Sequence, residues 1–219
     1  MRLAIFDFCD TLVNFQTANE FSKYVLKKES RNLLYQIDFI FGKLFFYTIF
    51  AKLGITSFSQ KKFLLRGLQG LTKEKIDKYG SQFFDDFIKV RFNKNILERF
   101  LQHKKNNDIL VINSGGYDAY LQHFANYYVV DFIFSNKFKY VNDIFCGEIL
   151  GYDCLGMEKV CRMEKAGFNF EQYDQIYVYS DSITDLPIFN LASHKVAVLK
   201  KGTSPLPTWC QSTFEIIHV

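Results

Sequence analysis

Residues 1–13 read MRLAIFDFCDTLV. Leu3 to Phe6 form a short, unbroken apolar run, as expected of a central parallel strand buried on both faces. The run stops on Asp7, with Asp10 and Thr11 close behind. Similar runs recur as DILVIN (108–113), DFIF (131–134), QIYVY (175–179) and KVAVL (195–199). Helix-like stretches lie between several of them, among them 116–127 and 157–166. Strands alternating with helices predict an α/β fold, a doubly wound Rossmann-like parallel sheet. FKYVND and IFCGEILGY differ: two extended arms flank Asn142-Asp143, which predicts a β-hairpin over 138–151.

Residues 15–92 hold no comparable strand. Helices are expected over 17–28, 31–53, 57–68 and 72–90. Ser59-Gln60 and the Thr72–Lys75 stretch supply starts, and Gly54 and Gly70 supply stops. The expected organisation is a core of residues 1–14 plus 93–219, carrying an inserted all-helical cap subdomain of residues 15–92. Charge divides along the same line. The 15–92 stretch has 14 Lys plus Arg against 7 Asp plus Glu, a balance of +7; the whole chain is +4, which leaves −3 for the remainder. A basic insert beside a slightly acidic body attracts anionic ligands, although a solvated helical surface gives the same count.

Aromatics are abundant, with 25 Phe. FIFGKLFFYTIF (39–50) is the densest stretch, nine apolar residues in twelve. It is too short and too flanked by charge to span a bilayer, so it reads as the core of the helical bundle or, in a second reading, as an interfacial helix giving the cap a peripheral membrane contact. The basic residues are scattered among Phe and form no stripe, so nucleic acid is not an expected partner. The five cysteines are odd in number and lack C-x-x-C spacing, which argues against a disulfide framework or a zinc site. The N-terminal apolar run ends too early for a secretory signal. A cytoplasmic, reduced protein is expected, and its oligomeric state is left open.

Ligands of open α/β sheets bind at the carboxyl ends of the strands. Just after successive strands come Asp7, then Ser114-Gly115-Gly116, then Asp181-Ser182 with Asp185 one turn on; Lys159 opens a helix after the hairpin. Phosphoryl transfer with a hard cation needs such a set. Clustered carboxylates repel unless a cation sits among them, and Mg²⁺ favours one or two carboxylates plus water and phosphate oxygens. A serine hydroxyl with neighbouring glycine N–H groups can hold phosphate oxygens, and a lysine can neutralise developing charge. Taken singly, Ser-Gly-Gly is an ordinary turn, Lys159 an ordinary surface lysine, and Asp181 with Asp185 an ordinary helix start.

In this order the motifs resemble those of the haloacid dehalogenase (HAD) superfamily. The first signature, usually D-x-D-G-T, is Asp7-Phe8-Cys9-Asp10-Thr11 here; the second is VINSGG with Ser114; the third is Lys159 within CLGMEKVCRM; the fourth is Ser180-Asp181-Ser182-Ile183-Thr184-Asp185. The helical insert and the hairpin before the lysine look most like the phosphoserine-phosphatase-like subfamily with its helical C1-type cap. The resemblance implies a phosphatase acting on a small phosphorylated metabolite or lipid phosphate. Asp7 would be the nucleophile, forming an aspartyl-phosphate. Mg²⁺ would be held by Asp7, Asp181 and the backbone carbonyl of Cys9, with Asp185 nearby. Ser114, Gly115 and Lys159 would bind the phosphoryl group. In the cap, Arg66, Lys61, Lys62 and Gln16 are candidates to face the substrate. The family's acidic specificity residue near Gln16 is absent, so phosphoserine itself is not supported.

Cys9 departs from the pattern. That position usually carries an aspartate that protonates the leaving alkoxide and later deprotonates water, and losing a general acid costs ~10²–10⁴-fold. Asp10 occupies the usual glycine position, and successive residues on extended backbone point opposite ways, so it does not replace Cys9 by simple shift. Three readings follow: a slow phosphatase or one using acyl or aryl phosphates, a protein that holds a long-lived phospho-aspartate, or a binder of phosphorylated ligands. Ser180, where glycine is usual, is a lesser departure.

Overall fold

The computed structural model describes residues 1–31, 60–210 and 213–219. The helix expected over 31–53 lies outside the described residues save for Arg31, and so do Gly54 and the aromatic stretch at 39–50. Six parallel strands make the sheet. Its centre is β1 (Arg2–Phe6), flanked on one side by β2 (Ile109–Tyr117) and β3 (Phe132–Asn136). On the other side lie β6 (Gln175–Ser180), β7 (His194–Leu199) and β8 (Phe214–His218). The chain thus runs outward from β1 in both directions, and the crevice at its carboxyl end is the switch point where ligands of such sheets bind.

Alternation along β1 explains the two-sided winding. Leu3 and Ile5 join Val111 and Val178 against Val160 and Met163 of α6 (Met157–Lys165) and Ile188 and Phe189 of α7 (Leu186–Phe189). Ala4 and Phe6 face the other way, with Ile112, Phe100 of α4 (Lys94–Lys105), and Leu121 and Phe124 of α5 (Asp118–Tyr128). Each such fully buried side chain contributes roughly 1.5–3 kcal/mol. The period-two face switch therefore commits both sheet faces to helices.

The hairpin forms as expected, from β4 (Phe138–Val141) and β5 (Ile144–Ile149). Asn142 and Asp143 both take positive φ (49° and 61°), the backbone that a tight two-residue hairpin turn requires. Two elements were not anticipated, α4 and β8. The latter is a short edge strand that pairs with β7 alone, and FEIIH offers too few residues to declare a period.

Among described residues 15–92 the elements are α1 (Thr17–Lys28), α2 (Gln60–Arg66), α3 (Lys73–Phe83) and a wide turn at Phe84–Ile88. The chain leaves and re-enters the body side by side: Val13 bridges Phe92, Asn14 N–H donates to Arg91 C=O, and the Asn93 side chain donates to Thr11 C=O. These helices share one apolar cluster with the sheet: Phe21, Leu64, Ile76 and Phe83 belong to the same packed set as Phe8 and Phe124. α3 lies so close to α5 that a Cβ on Gly80 would stand 1.8 Å from the Ala119 carbonyl oxygen. The hairpin joins this layer, with Phe145 N–H donating to Leu71 C=O and Gly70 N–H to Phe145 C=O.

Candidate active site

β1 ends on Asp7, whose N–H donates to Tyr179 C=O (2.9 Å), so β6 carries the site's other edge alongside it. Lys159, from the first turn of α6, reaches inward until its ammonium lies 2.9 Å from Asp7 Oδ1 and 2.6 Å from Asp185 Oδ2. Only 2% of its side chain is exposed. Burial alone would lower its pKa, but Asp7 and Asp185 hold it well above the ordinary lysine range, so it stays charged. Asp185 closes a short 3₁₀ turn, Ile183–Asp185, and also accepts from Ser180 Oγ at 2.6 Å. The serine in the usual glycine position is thus a partner of Asp185.

Asp181 follows β6 directly. Thr11 joins it to the first motif: the Thr11 hydroxyl donates to Asp181 Oδ1 (3.2 Å) and accepts from Asp181 N–H (3.1 Å). Burial, then the neighbouring Asp7 and Asp10 carboxylates, push the Asp181 carboxyl up to about 7. Three carboxylates against one ammonium leave two uncompensated negative charges when all are ionised, and Asp185 Oδ1 is buried without a hydrogen-bond partner. Both features suit a divalent cation. Among the described residues no three His, Cys, Asp or Glu side chains form a closed ligand set.

The turn around Cys9 is not simply extended. Cys9 is (φ −68°, ψ 135°), but Asp10 adopts the left-handed region (φ 51°, ψ 5°), which Asp tolerates better than most residues. Asp10 fails to stand in for Cys9 because of this bend, and because its carboxylate is engaged elsewhere, accepting from the Gln16 side-chain amide and facing Lys200 Nζ at 3.3 Å. Cys9 Sγ lies 2.8 Å from Thr17 Oγ1, which in turn lies 2.6 Å from the Tyr120 hydroxyl. Ser114 Oγ is 4.0 Å away. Burial, with the Asp7 charge adding, pushes the thiol up to about 11, so it is neutral at physiological pH.

Ser114 does not follow a strand end. β2 continues to Tyr117, and its register with β3 shifts between Asn113 and Tyr117. Ser114 therefore sits in a bulge, a device that re-aims a side chain. It is fully buried, and its Oγ accepts from Gly116 N–H at 3.2 Å.

Asp7, Cys9, Ser114, Gly115, Lys159, Asp181 and Asp185 all line one cavity of about 340 Å³, together with Lys61 and Gln16. Arg66 and Lys62 line a neighbouring cavity of about 500 Å³, which Lys61 also borders. Thr17, Tyr120 and Asp153 were not anticipated, and Thr11 was read only as part of the first motif, not as a partner of Asp181. Thr17 opens α1, and a hydroxyl at a helix start is the one local signal that could have pointed to any of them.

No helix among the described residues is long and apolar enough to cross a membrane, and all five cysteines are free. The family model described as haloacid dehalogenase-like hydrolase matches residues 4–190. A histidinol-phosphatase of Neisseria meningitidis serogroup C (strain 8013) is 25% identical over 212 residues, 90% of each chain. A crystal structure of a protein of unknown function from Bordetella pertussis Tohama I superposes with a TM-score of 0.70 at 18% identity, covering 90% of this chain and 89% of that one. A phosphoserine phosphatase in apo form superposes with a TM-score of 0.56 at 18% identity, over 90% and 85%.

Proposed function

The chain belongs to the haloacid dehalogenase-like hydrolases, and on that premise we propose that it is a phosphatase of small phosphorylated metabolites working through an aspartyl-phosphate on Asp7. The observation that carries this reading is the buried Asp7–Lys159–Asp185 ion cluster at the carboxyl end of β1. The Asp7 oxygen that Lys159 does not hold attacks phosphorus, the ester P–O bond breaks, and the leaving group departs. Water then cleaves the aspartyl-phosphate and releases inorganic phosphate. Ser114 Oγ and Lys159 bind the non-bridging oxygens while charge builds on them. Asp7, Asp181 and the Cys9 carbonyl, with Asp185 alongside, would hold Mg²⁺, which would supply the remaining neutralisation when bound. A cavity of about 340 Å³ suits a small substrate.

Cys9 shapes the substrate preference. A thiol with a pKa near 11 is a weak donor and no base at neutral pH. Turnover is therefore best with acyl and aryl phosphates, whose leaving groups need little protonation. The same neutral environment favours a second reading, a protein that takes up the phosphoryl group and releases it slowly.

The test is Mg²⁺-dependent phosphate release from acetyl phosphate, p-nitrophenyl phosphate, histidinol phosphate and phosphoserine. Release that disappears in Asp7→Asn supports the phosphatase. A stoichiometric burst with radiolabel retained on Asp7 supports the phosphoryl-holding reading. Release that survives Asp7→Asn sinks both.

A further inference from the structure

Gly115 carries a network that the proposed chemistry does not use. Lys61, in the first turn of α2, places its ammonium 2.8 Å from each Asp153 oxygen and 2.8 Å from the Gly115 carbonyl oxygen. Asn136, at the end of β3, donates to the same carbonyl (2.8 Å) and to Asp153 Oδ1 (2.6 Å), and its own oxygen accepts from Cys154 N–H. Two separate elements, α2 and β3, thus converge on one peptide group, with Asp153 bridging their side chains.

That peptide is rigid, so fixing its oxygen fixes its other end. The other end is Gly116 N–H, which donates to Ser114 Oγ. Gly115 has no Cβ to restrain rotation, and little room for one, because a Cβ there would stand 2.9 Å from Leu155 Cδ2. The orientation of the Ser114 hydroxyl is therefore set from outside the turn. Asn136 belongs to the sheet, whereas Lys61 belongs to α2, which packs into the apolar cluster through Leu64 and Leu65.

We propose that Lys61 is a positioning residue: by spanning Asp153 and the Gly115 carbonyl, it couples α2 to the Ser114–Gly115 turn and locks that turn in its phosphate-holding form. The identity of the ligand rests on the phosphatase reading; the coupling itself does not. In Lys61→Met, Asn136 still donates to both Asp153 Oδ1 and the Gly115 carbonyl, and Asp153 keeps some access to water (31%), so no buried group is left unpaired. Loss of Lys61 thus registers in ligand affinity and leaves folding intact.

The test compares Lys61→Met, Asp153→Asn and Lys23→Met in the full-length protein with Mg²⁺. Lys23 pairs with Glu20 on the exposed face of α1 and serves as the control. The readouts are inorganic phosphate affinity by calorimetry, KM and kcat on a substrate that the unmutated protein turns over, the thermal midpoint, and the Gly116 amide resonance. Lys61→Met is expected to weaken phosphate binding and raise KM by about 10–100-fold. Asp153→Asn should do so less, Lys23→Met not at all, and the thermal midpoint should hold. Phosphate affinity unchanged in Lys61→Met overturns the proposal, as does an equal loss in Lys23→Met. If the unmutated protein neither binds phosphate nor turns over any ester, the phosphatase reading fails and the amide decides. A Gly116 resonance displaced in Lys61→Met but not in Lys23→Met then upholds the coupling, and an unmoved one overturns it.

Discussion

The two sides of Asp7 are built from opposite chemistry. One side is ionic: Lys159 bridges Asp7 and Asp185, Ser180 backs Asp185, and Thr11 secures Asp181. The other is a chain of neutral groups: Cys9, Thr17 and Tyr120 pass hydrogen bonds along a buried line that ends on the Tyr117 N–H. The ionic side has what nucleophilic attack and phosphate holding require. In the proposed mechanism the neutral side is where a proton would be delivered, and attack and proton transfer would be separable. The thiol and two hydroxyls satisfy one another where a carboxylate would need charge compensation.

The largest expected effect comes from breaking the ionic side. Lys159→Met leaves two buried carboxylates uncompensated, which costs about 3–5 kcal/mol. Steady-state kinetics should show a loss comparable to Asp7→Asn, on the order of 10⁴-fold or more for removal of an essential group. Retention of activity in Lys159→Met would break the comparison.

Cys9→Asp tests the neutral side. Restoring a general acid should raise turnover of alkyl phosphates by ~10²–10⁴-fold and change aryl and acyl phosphates far less. The measurement is a plot of rate against leaving-group pKa, steep in the native protein and flat in the variant. Equal slopes would mean that the leaving group already receives its proton from elsewhere.

The smallest effect is on stability, from a third buried polar set. His103 lies between Asp108 and Tyr179: its Nδ1–H donates to Asp108 Oδ2 (2.7 Å), and its Nε2 accepts from the Tyr179 hydroxyl (2.9 Å). Burial lowers its pKa below the ordinary value of 6.5 despite Asp108. Below pH 6.5 the unfolded chain takes up a proton that the folded one refuses, so stability falls as pH drops through that window. One proton gives a slope of at most about 1.4 kcal/mol per pH unit. Denaturant titrations from pH 7.5 to 5 should show this slope as the difference between the native protein and His103→Gln, because Asp7 and Asp181, raised by burial, act in the opposite direction. Identical pH profiles for the two proteins would mean that His103 contributes nothing.

Much of the site could be read along the chain because it uses local signals. Leu3 to Phe6 announce a buried strand by composition, and Asp7 stands out as the first charge after it. Lys159 and Asp181 are legible for the same reason: each follows a recognisable element at a fixed offset. Ser114 was expected just after a strand but lies within β2, at a register shift that depends on pairing with β3. Arg66 and Lys61 are five residues apart, so their sequence positions alone do not divide them. Yet Lys61 borders the cavity that Asp7, Ser114 and Lys159 line, and Arg66 only its neighbour.

The sequence by itself determined the parallel sheet, the hairpin turn and the order of the charged motifs, since apolar periodicity, turn chemistry and residue type act over a few positions. Tertiary structure alone decided that Cys9 is held neutral by burial and the Asp7 charge, that Ser180 serves Asp185, and that Lys61 meets Asp153 across 92 positions. These depend on which distant surfaces pack together. A residue's charge and its hydrogen bonds answer to whatever the fold brings within 3 Å of it.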